Sequence, residues 1–132
     1  MTDASHDPQA AFTRAVDTAD AAAFGWGCIQ WLASGQIFPG ADITFGYTEI
    51  KAGKKNPRHY HARSDEVLYL LEGELAHSVG DEMVHMTPGM VVHIPKGVPH
   101  DARNTGTTTA KTLIAFSTGD REAVFLETGD DY

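Results

Sequence analysis

The chain has 132 residues, 42% of them hydrophobic and 21% charged. That is enough for one folded domain burying roughly two thirds of its surface, and it is not the composition of a disordered chain. Its net charge of −8 argues against nucleic acid or an anionic membrane as a partner. A single cysteine, Cys28, rules out an intrachain disulfide and fits a reducing cytoplasm.

Residues 1–8 are polar and read as a frayed end, with no basic and apolar run of the kind a secretory leader carries. Residues 9–24, QAAFTRAVDTADAAAF, are alanine-rich, with Phe12 and Val16 at helical spacing. They predict a short helical arm, packed on the body or on a second subunit and ended by Gly25 and Gly27. The chain therefore divides into a flexible N-terminus and helical arm, 1–24, and one domain, 25–132. No apolar run approaches the roughly 20 residues of a membrane span.

From Trp26 the pattern becomes short apolar runs punctuated by glycine and proline. Strands are expected over 27–33, 43–51, 58–62, 66–72, 74–79, 82–86, 90–95, 99–104 and 110–117. Turns are expected at SGQIFPGAD, AGKKNP, Gly73, VGDE, TPG, PKG and NTGTT. Many short strands without intervening helices indicate an all-β antiparallel sandwich or barrel.

Two stretches carry the chemistry. Residues 53–73 read G-x5-H-x-H-x4-E-x6-G, which places His59, His61 and Glu66 within eight positions. In a strand His59 and His61 share a face. If that strand pairs with the run opening at Glu66, two imidazoles and a carboxylate converge. Residues 89–104 read G-x5-P-x-G-x2-H-x3-N and supply His100 as a fourth candidate. Three neutral imidazoles and a carboxylate form a nitrogen–oxygen donor set for a divalent transition metal (Fe, Mn, Ni, Co, Cu or Zn) rather than calcium.

These two stretches resemble the two motifs of the cupin superfamily, with every motif position present. At about one residue in twenty per position, ten fixed positions coincide by chance with a probability on the order of 10⁻¹³. The resemblance covers residues 43–117 and implies a double-stranded β-helix, or jelly roll, holding one divalent metal on His59, His61, Glu66 and His100. It also implies that residues 116–127 close a barrel mouth or a subunit interface. A homodimer is the expected assembly.

Period two from Glu66 turns Leu68 and Leu70 inward and Val67 and Tyr69 outward, which predicts an apolar pocket beside the metal. Some cupin lyases carry a tyrosine base two residues after the glutamate; here that position is Leu68, which counts against them. Tyr47, Glu49 and Arg58 remain candidate acid–base or anion-binding groups, while Trp26 and Trp31 read as core or interface packing. His93 is a weak candidate for the pocket, His77 and His85 read as surface residues of an outer hairpin, and His6 lies in the tail.

The function expected is a mononuclear metal-dependent enzyme acting on a small organic molecule. Dioxygenase-type chemistry on a substrate that chelates the metal comes first. The alternatives are a metal-dependent isomerase or lyase acting on a sugar or small acid, and a non-catalytic cupin that binds a small ligand.

Overall fold

In a computed structural model that describes residues 7–17 and 21–127, the chain forms two antiparallel sheets. The six-stranded sheet has the order β1-β2-β3-β10-β5-β8, with β1 at Ala22–Phe24, β2 at Gly27–Ala33, β3 at Thr44–Ile50, β5 at Glu66–Glu72, β8 at Val91–Ile94 and β10 at Ala110–Phe116. The five-stranded sheet has the order β11-β4-β9-β6-β7, with β4 at His59–Tyr60, β6 at Leu75–Val79, β7 at Glu82–Met86, β9 at His100–Asn104 and β11 at Val124–Phe125. The crossed strand order makes this a jelly roll, with the core drawn from both sheets: Ile50, Leu68, Leu70, Ile94 and Ile114 meet Leu75, Met86 and Ala102.

The nine expected strands all form, several with the expected ends. Alternation is clearest on β5, where Leu68 and Leu70 are 4% and 0% exposed while Val67 and Tyr69 are each 41% exposed. The motif glycines 53, 73, 89 and 97 all have positive φ and turn the chain as expected. Gly73 has an added reason: a Cβ there would lie 2.9 Å from the Ala110 Cα, so the hairpin crosses β10 without room for a side chain. Asn104 ends β9 as a buried strand-end hydrogen bonder, donating to Ile50 O and Thr108 O and accepting from Gly106 N, each at 2.8 Å.

The N-terminal segment differs from expectation. The helix α1 covers only Pro8–Phe12, capped by the Asp7 side chain, which accepts from Gln9 N at 3.0 Å. Residues 13–17 are not helical, and 18–20 lie outside the described residues, as does His6. Ala22–Phe24 then forms a strand, paired with Gly27–Ile29 through a tight turn at Gly25 and Trp26. Two physical reasons account for this. Phe12 and Val16 are 78% and 54% exposed, so no apolar face stabilises a longer helix. The open edge of β2 offers backbone partners that outweigh the helix propensity of alanine.

Candidate metal centre

The four expected ligands meet at one point: one donor atom from each of His59, His61, Glu66 and His100 lies within 4.8 Å of the others. The route differs from the one the sequence implied. The strand bearing His59 does not pair with the strand opening at Glu66. Instead β4 pairs with β9 in the five-stranded sheet, with His59 opposite His100 in register and their rings 4.3 Å apart. Glu66 begins β5 in the other sheet, so the carboxylate reaches the histidines across the barrel interior. His61 follows the end of β4 and is held there as its carbonyl accepts from Gly97 N at 2.8 Å. His61, Glu66 and His100 are 3%, 6% and 2% exposed.

Backbone carbonyls orient all three imidazoles. His59 Nδ1–H donates to Pro57 O at 2.7 Å, His61 Nδ1–H to Glu122 O at 2.6 Å and His100 Nδ1–H to Val98 O at 2.9 Å. A carbonyl only accepts, so each Nδ1 carries a proton, and whenever the ring is neutral its Nε2 lone pair is the one left to act. His100 Nε2 lies 3.0 Å and His61 Nε2 3.2 Å from Glu66 Oε1. The second contact lacks hydrogen-bond geometry, and His61 Nε2 is a buried nitrogen without a hydrogen-bond partner. Lone pairs aimed at a carboxylate require a cation between them. A proton can serve one such pair, whereas a divalent metal serves all of them at once, and the N3O donors fit it.

The titration of the cluster reflects this crowding. Burial works against ionised Glu66, yet its contacts with His100 and His61 hold the carboxyl down at about 2. Burial, reinforced by the His100 charge, lowers His59 to about 4. Burial also opposes charge on His100, but the bond to Glu66 outweighs it and raises that pKa.

The cluster opens into a cavity of about 420 Å3. Its wall is mainly apolar, including Trp31, Leu68, Ile114, Phe116 and Phe125. Two of the polar residues on this wall, His77 and Arg121, bear on the chemistry and were not expected there. His77, expected at the surface, is 1% exposed and lines the cavity, its ring stacked on His100 at 5.9 Å and 13°. The period-two run Leu75, His77, Val79 carries that signal in the sequence, and His77 pairs with the inward-facing Ala102; β6 is buried on both faces, as no outer hairpin strand would be. The His77 Nδ1–H donates to Ser78 O at 2.9 Å, and burial lowers its pKa. Arg121, between β10 and β11, also lines the cavity; a lone arginine in a loop-like run gave no period to read.

The remaining candidates lie elsewhere. Tyr47 and Glu49 project from β3 on the face opposite the buried Thr44, Thr48 and Ile50; burial and the Glu49 charge push the Tyr47 phenol up to about 12. The Arg58 guanidinium donates to Ser78 Oγ at 3.0 Å and Gly80 O at 2.9 Å, tying β4 to β6 outside the cavity. His85 is exposed as expected, and His93 faces outward, 4.0 Å from Asp65. Trp26 is core, stacked on Phe24 at 5.1 Å, although both rings also border the cavity. Strand β11 pairs with β4 and brings Phe125 to 5.7 Å from the His59 ring, so the C-terminal segment does cover the site.

A jelly roll with a buried His3Glu cluster is the arrangement of a metal-binding cupin, and sequence comparison agrees. Residues 46–116 match the cupin domain family model, and the chain belongs to the cupin superfamily. Over 72 residues it is 32% identical to the tetracenomycin polyketide synthase protein TcmJ of Streptomyces glaucescens, a match covering 54% of this chain and 48% of that protein. The chain thus spans about half the length of that relative. Among solved structures, an oxalate oxidase in complex with the substrate analogue glycolate superposes with a TM-score of 0.79 at 19% identity, covering 95% of this chain and 68% of the other. The Lactobacillus farciminis oxalate decarboxylase formate complex gives 0.75 at 22% identity, covering 80% of this chain and 33% of that one. These likenesses establish the fold.

Proposed function

We propose that this cupin is a mononuclear metal-dependent enzyme acting on a small organic molecule by dioxygenase-type chemistry. His59, His61, Glu66 and His100 serve as the protein ligands and residues 25–132 as the working domain. The observation that carries the reading is the convergence of three Nε2 lone pairs and one carboxylate at the base of a mainly apolar cavity. Four protein donors leave one or two positions of an octahedral ion open. The metal would supply Lewis acidity and, for a redox-active ion, electron transfer toward dioxygen and a chelating substrate. The protein's own part is to orient the imidazoles through Pro57, Glu122 and Val98 and to exclude water with the wall at Leu68, Ile114 and Phe116.

A cavity of about 420 Å3 is of the size that encloses a small organic ligand, which weighs against a storage role with room only for a water. The relative named as a polyketide synthase protein is compatible with a polyketide-type substrate. The test is oxygen uptake by iron-reconstituted protein offered catechols and β-dicarbonyl compounds. Uptake that needs both metal and organic substrate supports the reading, and its absence across the series counts against it.

One observation favours the isomerase or lyase reading. Such chemistry needs a base beside the metal, and His77 provides a buried, neutral imidazole whose Nδ1 proton is fixed on Ser78 O. Metal-dependent exchange of substrate C–H for deuterium without oxygen uptake, abolished by His77→Gln, would place the protein there. We also propose a cytoplasmic homodimer. Its support is the lone Cys28 and the exposed apolar residues Val67, Tyr69, Leu71 and Val91 on the outer face of the six-stranded sheet.

A further inference from the structure

We propose that Arg121 is a second anchor of the cavity and that the site takes an organic acid: metal-chelating oxygens at one end, a flat apolar body, and a carboxylate at the other end held by the guanidinium. This rests on the metal-centred reading above and adds the substrate class.

Arg121 is unusual in how its charge is met. Its two chain neighbours are both acidic, yet Asp120 and Glu122 turn to Arg63 on the outside, the first at 3.9 Å and the second in direct contact. Among the described residues no carboxylate is in ion-pair contact with Arg121, and the carboxylate whose charge acts on it is the metal-site Glu66. Glu127, the other acid bordering the cavity, is taken up by Lys55 Nζ at 2.6 Å and Arg58 N at 3.0 Å. The Arg121 guanidinium lies instead over the Trp31 ring at 4.3 Å and faces Phe116 at 5.6 Å. An aromatic face satisfies the charge of a guanidinium without using its N–H donors, which stay available for the two oxygens of a carboxylate.

Position bounds the reach the ligand needs. The Phe116 ring that faces Arg121 also stands 4.8 Å from the His61 ring, so one aromatic side chain separates the cation from the ligand cluster. A molecule reaching both passes one aromatic side chain on an apolar wall. The charges agree: a divalent ion with Glu66 leaves the base of the cavity near +1, and Arg121 adds a second positive charge. The cavity is then cationic inside a chain of net charge −8, which focuses small anions into it.

The test is calorimetric binding to zinc-loaded protein, where a redox-inert ion prevents turnover. The probes are 3,4-dihydroxycinnamic acid and its methyl ester, which share the chelating end and the body and differ only in the carboxylate. The wild type should bind the acid at least about tenfold more tightly than the ester, the range of a charge-assisted hydrogen bond. Arg121→Met should erase that preference while leaving ester affinity within about twofold, and Arg121→Lys should keep part of it. Unchanged thermal midpoints establish that the variants fold. Equal binding of acid and ester by the wild type, a preference that survives in Arg121→Met, or no binding of either compound overturns the proposal. The metal reading is scored separately: ester binding that is the same with and without zinc refutes chelation, whatever Arg121 does.

Discussion

At the scale of single residues, each imidazole of the cluster is fixed by a carbonyl two residues or a whole loop away, so its Nε2 has one direction in which to act. Substituting His100 by alanine should weaken metal binding by at least about a hundredfold, since even outer-shell partners are worth 10- to 100-fold. The barrel should stay folded, because its core residues form a separate apolar cluster. Metal content equal to wild type in that variant would sink the ligand assignment. The pH dependence of the metal-free protein follows from the depressed histidines. His59, at about 4, and His77, lowered by burial, both take a proton more readily unfolded, where histidine titrates near 6.5. Their contribution to stability is complete above 6.5 and is lost as the pH falls below it, for His59 down to about 4. His100, raised in the fold, contributes fully below 6.5 and so opposes that slope only above 6.5. Glu66, held at about 2, adds its own loss only below about 4.5. The thermal midpoint of metal-free protein should therefore drop between pH 6.5 and 4.5; a flat profile there would contradict the assignment of these shifts to burial.

Among the elements, the connection from β10 to β11 does most to finish the site. It supplies the carbonyl of Glu122 to His61 and the guanidinium of Arg121 to the cavity, and it leads into β11, which sets Phe125 beside His59. Gly119 anchors it: its carbonyl accepts from Gly35 N at 2.9 Å, and a Cβ there would sit 1.8 Å from Ala41 O. Gly119→Ala must push backbone against backbone and should cost about 1–3 kcal/mol, read as a lowered denaturation midpoint with a larger fractional loss of metal affinity. This connection was also the least legible part of the sequence. Strands such as β5 announced themselves through period two, and the motif spacing located all four donors. The two-residue strand β11 is too short to show a period, and Arg121 acts through its surroundings rather than through a pattern. Ala22–Phe24 misled for the opposite reason: its local propensity is strongly helical, and only the tertiary edge of β2 makes it a strand. The cross-barrel route to Glu66 was hidden because spacing specifies which residues meet, not which sheets carry them.

For the whole molecule, an acidic exterior encloses a cavity that becomes cationic once metal is bound, and an apolar sheet face is left open on the outside. If that face joins two copies, Val91→Glu should shift sedimentation from dimer toward monomer while metal content stays unchanged, because Val91 is 62% exposed and does not line the cavity. Metal should also stabilise the fold by mass action: at a free concentration about 100 times Kd the gain is about 2.7 kcal/mol. Stripping it with a chelator should lower the thermal midpoint accordingly, and an unmoved midpoint would mean that the ion sits elsewhere. The most direct test is elemental analysis of metal per chain, on protein purified anaerobically without added metal or an affinity tag. The structure predicts close to one transition-metal ion per chain, with iron favouring the oxygen chemistry and zinc, nickel or manganese favouring isomerase or lyase chemistry. A chain that stays empty, and takes up no metal when it is offered, would contradict the assignment of His59, His61, Glu66 and His100 as a metal centre.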